Sequence, residues 1–165
     1  MKVSPMIASL LLSSTVAAAE FTDDVIEVAK LQGGLAVVIG CHDAQLAADL
    51  GTYGYVVQSL DDDGETVAEA RQFFSSAGAH GQATASEFDG RRLPYVDNLV
   101  NLLVLRDAES EIPEAEMDRV LAPRGVLVCK FVSDNSSLEF HQVRDSFVYR
   151  KPVPDTIDDW PMHLY

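Results

Sequence analysis

The chain is short of positive charge. Its 165 residues hold 12 Lys+Arg against 26 Asp+Glu, a formal net charge of −14. No Lys/Arg stripe is available to displace counterions from phosphates, so DNA and RNA are excluded as partners. The acidity itself is explained well enough by solubility. Metal-ligand spacing is also missing. His42, His80, His141 and His163 fall at no interval that would make a site with one another or with the cysteines, and no metal is expected. "GETVAEAR" at 64–71 has neither the second glycine nor the lysine of a phosphate loop. There is no internal repeat, and no low-complexity run beyond Asp61-Asp62-Asp63, which reads better as a helix-capping turn than as a cation site.

Long apolar runs are missing except at the start. Lys2 and then "MIASLLLSSTVA" have the order and length of a secretory leader, too short to span a bilayer. Ala17-Ala18-Ala19 before Glu20 fits a cleavage site. An uncleaved anchor or a buried N-terminal helix is the alternative, and cleavage is the better reading. Residues 1–19 are therefore expected to be a signal peptide, and the product an exported, periplasmic or extracellular protein with no membrane span after cleavage. Residues 20–150 suffice for one domain with a substantial core.

What is present alternates. "FTDDVIEVAKLQGG" carries Val25, Val28, Ala29 and Leu31 at helical spacing before a glycine stop. "LAVVIG" is a continuous apolar run, the mark of a strand buried on both faces. Asp43 can cap a following helix that ends before Gly51. "YGYVVQSL" is a second strand. "DDDGETVAEARQFFSSAG" is a helix with Val67, Ala70, Phe74 and Ala77 inward, a capping box from Asp62 and Glu65, and a stop at Gly78. "GQATASEF" and "NLVNLLVL" are the third and fourth strands. "EIPEAEMDRVLA" is a short helix with Met117, Val120 and Leu121 inward, stopped by Pro123 and Gly125, and "GVLVCKFV" is the fifth strand. This order predicts an α/β, Rossmann-like, doubly wound and mostly parallel sheet with helices on both faces. The remainder predicts one or two edge strands, then a proline-spaced linker over 151–165 in which Trp160, His163 and Tyr165 have nothing local to pack on.

In such a sheet a ligand lies beyond the carboxyl ends of the strands. Those ends are Gly40-Cys41-His42, Asp61, Phe88-Asp89 and Arg106-Asp107. A glycine after the first strand admits a ligand close to the backbone. An acid after the second can accept from two ribose hydroxyls, and an acid after the third from an adenine amino group beside an aromatic ring. A His42-Asp43 pair activating Cys41 is disfavoured, because adjacent side chains point apart and no oxyanion loop is visible.

"EFDGRRLPYVDNLVNLLVL" followed by "EIPEAEMDRVLAPRGVLV" resembles the class I S-adenosylmethionine-dependent methyltransferases over roughly residues 31–131. The resemblance implies a strand order of 3-2-1-4-5 and S-adenosyl-L-methionine as cofactor. It implies Gly40, with Cys41 and His42 in the same loop, under the methionine and ribose. Asp61 would take the ribose hydroxyls, Asp89 the adenine amino group, and Phe88 the adenine ring. The methyl acceptor, small molecule or protein, is unidentified, and no catalytic residue is implied. "KPVPDTIDDWPMHLY" is similar to junctions in exported proteins where a methyltransferase-like domain precedes a β-propeller, implying such a downstream domain. With the fourth strand between the first and fifth, Cys41 and Cys129 are two spacings apart, about 9.6 Å. That exceeds the roughly 7 Å limit for bridged Cα atoms. Free buried thiols are expected.

The sequence also departs from the family. Acid-x-Gly-x-Gly-x-Gly reads Val38-Ile39-Gly40-Cys41-His42-Asp43-Ala44, the fourth-strand acid is Asn101, and the PGG turn is Pro123-Arg124-Gly125. A side chain where φ must be positive costs roughly 1–2 kcal/mol. These changes predict a degenerate cofactor loop. Two functions stay open: a methyltransferase of unknown acceptor, or a non-catalytic scaffold packed on a downstream propeller. A dinucleotide-binding domain fits the glycines less well still.

Overall fold

The computed structural model describes residues 21–79, 81–106, 111–133 and 135–154. The leader, His80, Asp107 and residues 155–165 lie outside the described residues. A first helix, α1, covers residues 21–29. There follow β1 (Gly34–Ile39), α2 (Ala44–Thr52), β2 (Tyr55–Asp61), α3 (Gly64–Ser76), β3 (Ala83–Glu87) and β4 (Val100–Leu105). After these come α4 (Glu114–Val120), β5 (Leu121–Cys129), β6 (His141–Val143) and β7 (Ser146–Arg150).

Among the described residues the strands form one sheet of order β3-β2-β1-β4-β5-β7-β6. The first five are mutually parallel. β7 runs antiparallel to β5, and β6 antiparallel to β7. Strand order reverses between β1 and β4, so the crevice for a ligand opens beyond their carboxyl ends.

The period-2 pattern explains the layers. Ala36 and Val38, Leu102 and Val104, and Val126 and Val128 face α1, α2 and α3. Val37, Leu103, Leu105 and Leu127 face away, onto α4 and two loops that supply Leu93, Tyr95, Leu138 and Phe140. Neither the 88–99 segment nor the described part of 130–140 contains a helix, so that second face carries α4 alone. Val56 of β2 is left 60% exposed there. Each fully buried leucine or valine contributes about 1.5–3 kcal/mol.

Several boundaries differ from the sequence reading. Gly51 lies inside α2, whose last turn closes on Tyr53 instead. α3 is capped by Asp63, which accepts from Glu65 and Thr66 N–H; Asp62 and Glu65 form no capping box, since the helix starts one residue later than the pattern allowed. Ala77 is exposed past the end of that helix, and Ala79 is buried in its stead. Leu121 already belongs to β5, so α4 passes into the strand with no intervening turn. Pro123-Arg124-Gly125 forms an irregularity within β5, where the register with β4 shifts. Arg124 holds φ +66° in the place of a glycine. β7 is interior, between β5 and β6, so only β6 is an edge strand on that side. The cysteines are free and buried, with β4 between their strands as expected.

The entrance to β1 is tightly specified. Gly34 has φ +113°, and a Cβ there would stand 2.3 Å from Asn101 Oδ1. That same oxygen accepts the Leu35 N–H at 2.9 Å. Asn101 therefore joins the amino ends of β1 and β4, remote from the strand ends where a cofactor would lie, and its replacement of an acid does not bear on cofactor contact. Gly34→Ala combines a disfavoured φ with a backbone-to-side-chain clash, and is expected to lower unfolding free energy by about 2–3 kcal/mol in urea denaturation.

Candidate functional site

The carboxyl ends of β1, β2 and β3 meet in a set of cross-ties. Gly40 has φ +94°, and its N–H donates to Leu60 O at 2.8 Å. Cys41 N–H donates to Asp61 Oδ2 at 2.7 Å, and Asp63 N–H to Asp61 Oδ1 at 3.1 Å. Phe88 N–H reaches Asp61 O at 3.0 Å. Asp61 is buried at 8% exposure, so its two oxygens hold the loop after β1 and the entry to α3 together. The structure thus places Gly40, Cys41, Asp61 and Phe88 side by side, as strand adjacency requires.

Asp89 stands beside them but faces solvent. Its Oδ1 accepts the N–H groups of Arg92 at 2.8 Å and Arg91 at 2.9 Å. Those two bonds hold its carboxyl below the usual carboxylate range. Phe88 is half-buried against the second-face core. The loop carrying both is held by Arg119, which donates to Tyr95 O, Leu93 O, Asp97 Oδ1 and the Glu116 carboxylate. Sequence pattern did not single out Arg119; its position inside a helix of charged residues hides the role.

His42 is exposed, and it lies within electrostatic range of Asp63. Asp63 is lowered mainly by the Thr66 hydroxyl and by the N–H groups it caps, with the imidazole a smaller contributor. Neither His42 nor Ala44 has a positive φ. The backbone strain expected from replacing those glycines is therefore absent, because the loop turns at Gly40 alone and Ala44 simply begins α2. What the two Cβ atoms change is how closely a ligand can approach.

The other half of the crevice, between β1 and β4, is crossed by an ion pair. Arg106, directly after β4, forms an ion pair with Asp43, which also caps α2 through Leu46 N–H. The Arg106 guanidinium stands 5.0 Å from the centre of the Phe21 ring, and Lys130 Nζ stands 4.5 Å from it. Phe21 is only 3% exposed. Two cations on one buried ring make an arrangement worth about 0.5–2 kcal/mol per contact. The sequence signal for this cluster was faint: an aromatic at the start of the first helix and single cations just past β4 and β5.

Cys41 is buried and its thiolate is disfavoured. Burial, with the Asp61 carboxylate beside it, pushes its thiol up from an ordinary value of 9.0 to about 12. Burial likewise pushes Cys129 to about 11. Among the described residues no three His, Cys, Asp or Glu converge as metal ligands, and no helix is long and apolar enough to cross a membrane.

No protein-family model matches the chain, and no curated protein matches it in sequence. Solved structures do. A putative S-adenosyl-L-methionine-dependent methyltransferase from Methanococcus maripaludis superposes with a TM-score of 0.68 at 15% identity, over 83% of this chain and 86% of that one. The chain has the fold of the class I S-adenosylmethionine-dependent methyltransferases. Geranyl diphosphate C-methyltransferase from Streptomyces coelicolor A3(2), in complex with Mg2+, geranyl diphosphate and S-adenosyl-L-homocysteine, gives 0.63 at 15% identity over 74% of this chain. A [4+2]-cyclase gives 0.60 at 26% identity over 69% of it. The present chain spans about half the length of each of these last two, 47% and 46%. The methyltransferase fold thus accommodates both transferase and cyclase among its similar structures.

Two outcomes follow from the geometry. Asp61→Ala removes a buried acceptor of two N–H bonds, and is expected to cost about 2 kcal/mol of stability in chemical denaturation. In the folded protein at pH 8 both thiols are expected to resist Ellman's reagent, and both should react within minutes once urea unfolds the chain. Rapid reaction of one native thiol would place it outside the core.

Proposed function

We propose that this methyltransferase-fold domain binds the adenosine end of S-adenosyl-L-methionine or S-adenosyl-L-homocysteine and does not transfer a methyl group. The observation that supports this reading is the asymmetry of the crevice. Asp61, Phe88 and Asp89 stand together at the ends of β2 and β3, where a nucleoside is expected. Asp43, Arg106 and Phe21 occupy the switch point where the methionine end would extend. Gly40 keeps the positive φ that lets the backbone approach a ligand. The degenerate positions His42 and Ala44 narrow that approach without straining it.

Methyl transfer rests on holding donor and acceptor in line, so a crevice that leaves the sulfonium end unheld loses most of that advantage. The cyclase of the same fold is consistent with a methyltransferase scaffold put to another use. A second reading, a purely structural module packed on a downstream propeller of an exported protein, is favoured by the short leader-like start and the proline-spaced 151–165 segment.

Isothermal titration with S-adenosylmethionine, S-adenosylhomocysteine and adenosine separates the readings. The expected result is weak binding of all three, with affinities within a few-fold of one another and lost in Asp61→Ala variants that remain folded. Affinity for S-adenosylmethionine tenfold or more above adenosine, about 1.4 kcal/mol, would restore the complete cofactor site. No heat with any of them would favour the structural module.

A further inference from the structure

A groove of about 290 Å³ lies between α1 and the β6–β7 hairpin, away from the crevice described above. We propose that the segment 155–165 of this same chain folds back into it, with Trp160 on its floor and Asp155, Asp158 and Asp159 along its rim. Three features of the groove and two of the segment carry this assignment.

The floor is apolar. Val28 of α1 and Val143 and Val148 of the hairpin line it. The register His141↔Val148 and Val143↔Ser146 turns both hairpin valines to the face on which α1, α2 and α3 pack. α2 and α3 lie over β2 and β3, and Val143 is left 38% exposed beside α1.

The rim is cationic in a chain whose net charge is −14. Lys30, Arg144 and Arg150 line it, with the acid Glu27 and the imidazole of His141 among them. Arg144 is answered by Asp24 and Glu27. Among the described residues Arg150 has no acid partner: its guanidinium donates to Ala29 O at 2.9 Å, Arg124 O at 3.1 Å and Val28 O at 3.5 Å. It thus closes the C-terminal end of α1 and leaves its charge to act on whatever enters the groove.

The segment matches in chemistry and in reach. "DTIDDW" places three acids around Ile157 and Trp160. Arg150 both lines the groove and ends β7, so the chain leaves the groove's edge four residues before the segment begins. Ten residues separate Arg150 from Trp160, an extended reach of up to about 35 Å, ample for a return to the groove. The tether itself raises effective concentration to about the millimolar range, so modest contacts suffice for docking.

Trp160 is the single tryptophan of the chain, so its fluorescence reports on this contact alone. In the full chain, emission blue-shifted from that of free N-acetyltryptophanamide is expected, with acrylamide quenching reduced several-fold. Lys30→Glu combined with His141→Glu, two exposed positions, is expected to shift emission back toward the free value while circular dichroism stays native. Adding Asp158→Lys and Asp159→Lys to that variant is expected to restore the blue shift. Emission equal to the free indole in the unaltered chain would overturn the proposal. So would protection that the rim substitutions leave unchanged, because the indole would then be buried elsewhere. Protection that appears only as protein concentration rises would assign the groove to a second copy's segment and overturn docking within one chain.

Discussion

The carboxyl edge of this sheet depends on one buried carboxylate. Asp61 ends β2 and receives an N–H from the loop after β1 through one oxygen and the N–H that leads into α3 through the other. Both bonds are charge-assisted and shielded from water, the setting in which such bonds are strongest and their loss most costly. The carboxylate fixes the loop at Cys41 and the start of α3, while the main-chain carbonyls of Leu60 and Asp61 hold Gly40 and Phe88.

A crevice so framed splits into unlike halves. Toward β2 and β3 it keeps acids and an aromatic ring near the surface. Toward β4 and β5 it is closed by an ion pair and by a phenylalanine clasped between two cations. The closure is built by Asp43, which stands between the two replaced glycine positions, together with Arg106 and Phe21. Asp43 caps α2 and meets Arg106, while His42 is exposed within electrostatic range of Asp63. On the reading proposed above, one half of the crevice is kept for a nucleoside and the other is crossed by the Asp43–Arg106 ion pair.

Alternation of apolar runs with amphipathic segments was enough to read the five parallel strands, the helices between them and the strand ends. These features are local, and their periodicity survives without any partner. Three kinds of information were not local. The cap of α3 moved from Asp62 to Asp63 because three consecutive aspartates offer the same chemistry, and tertiary register chooses among them. The interior place of β7 depends on pairing with β5 across an irregular segment that carries little hydrophobic pattern. The Phe21–Arg106–Lys130 cluster joins residues far apart in sequence, of which the sequence marked only Arg106, as a strand end. Glycine counting also misled: the expected strain at His42 and Ala44 did not arise, because a loop that turns at one glycine has no need of three.

The claim that one half of the crevice is kept and the other closed is tested most directly by amide chemical-shift mapping of the folded chain with S-adenosylmethionine. The account predicts shifts centred on Cys41, Asp61, Phe88 and Asp89, with the amides of Phe21, Arg106 and Lys130 unmoved. Shifts of comparable size at Phe21, Arg106 and Lys130 would show the methionine end entering the switch point, and would contradict it.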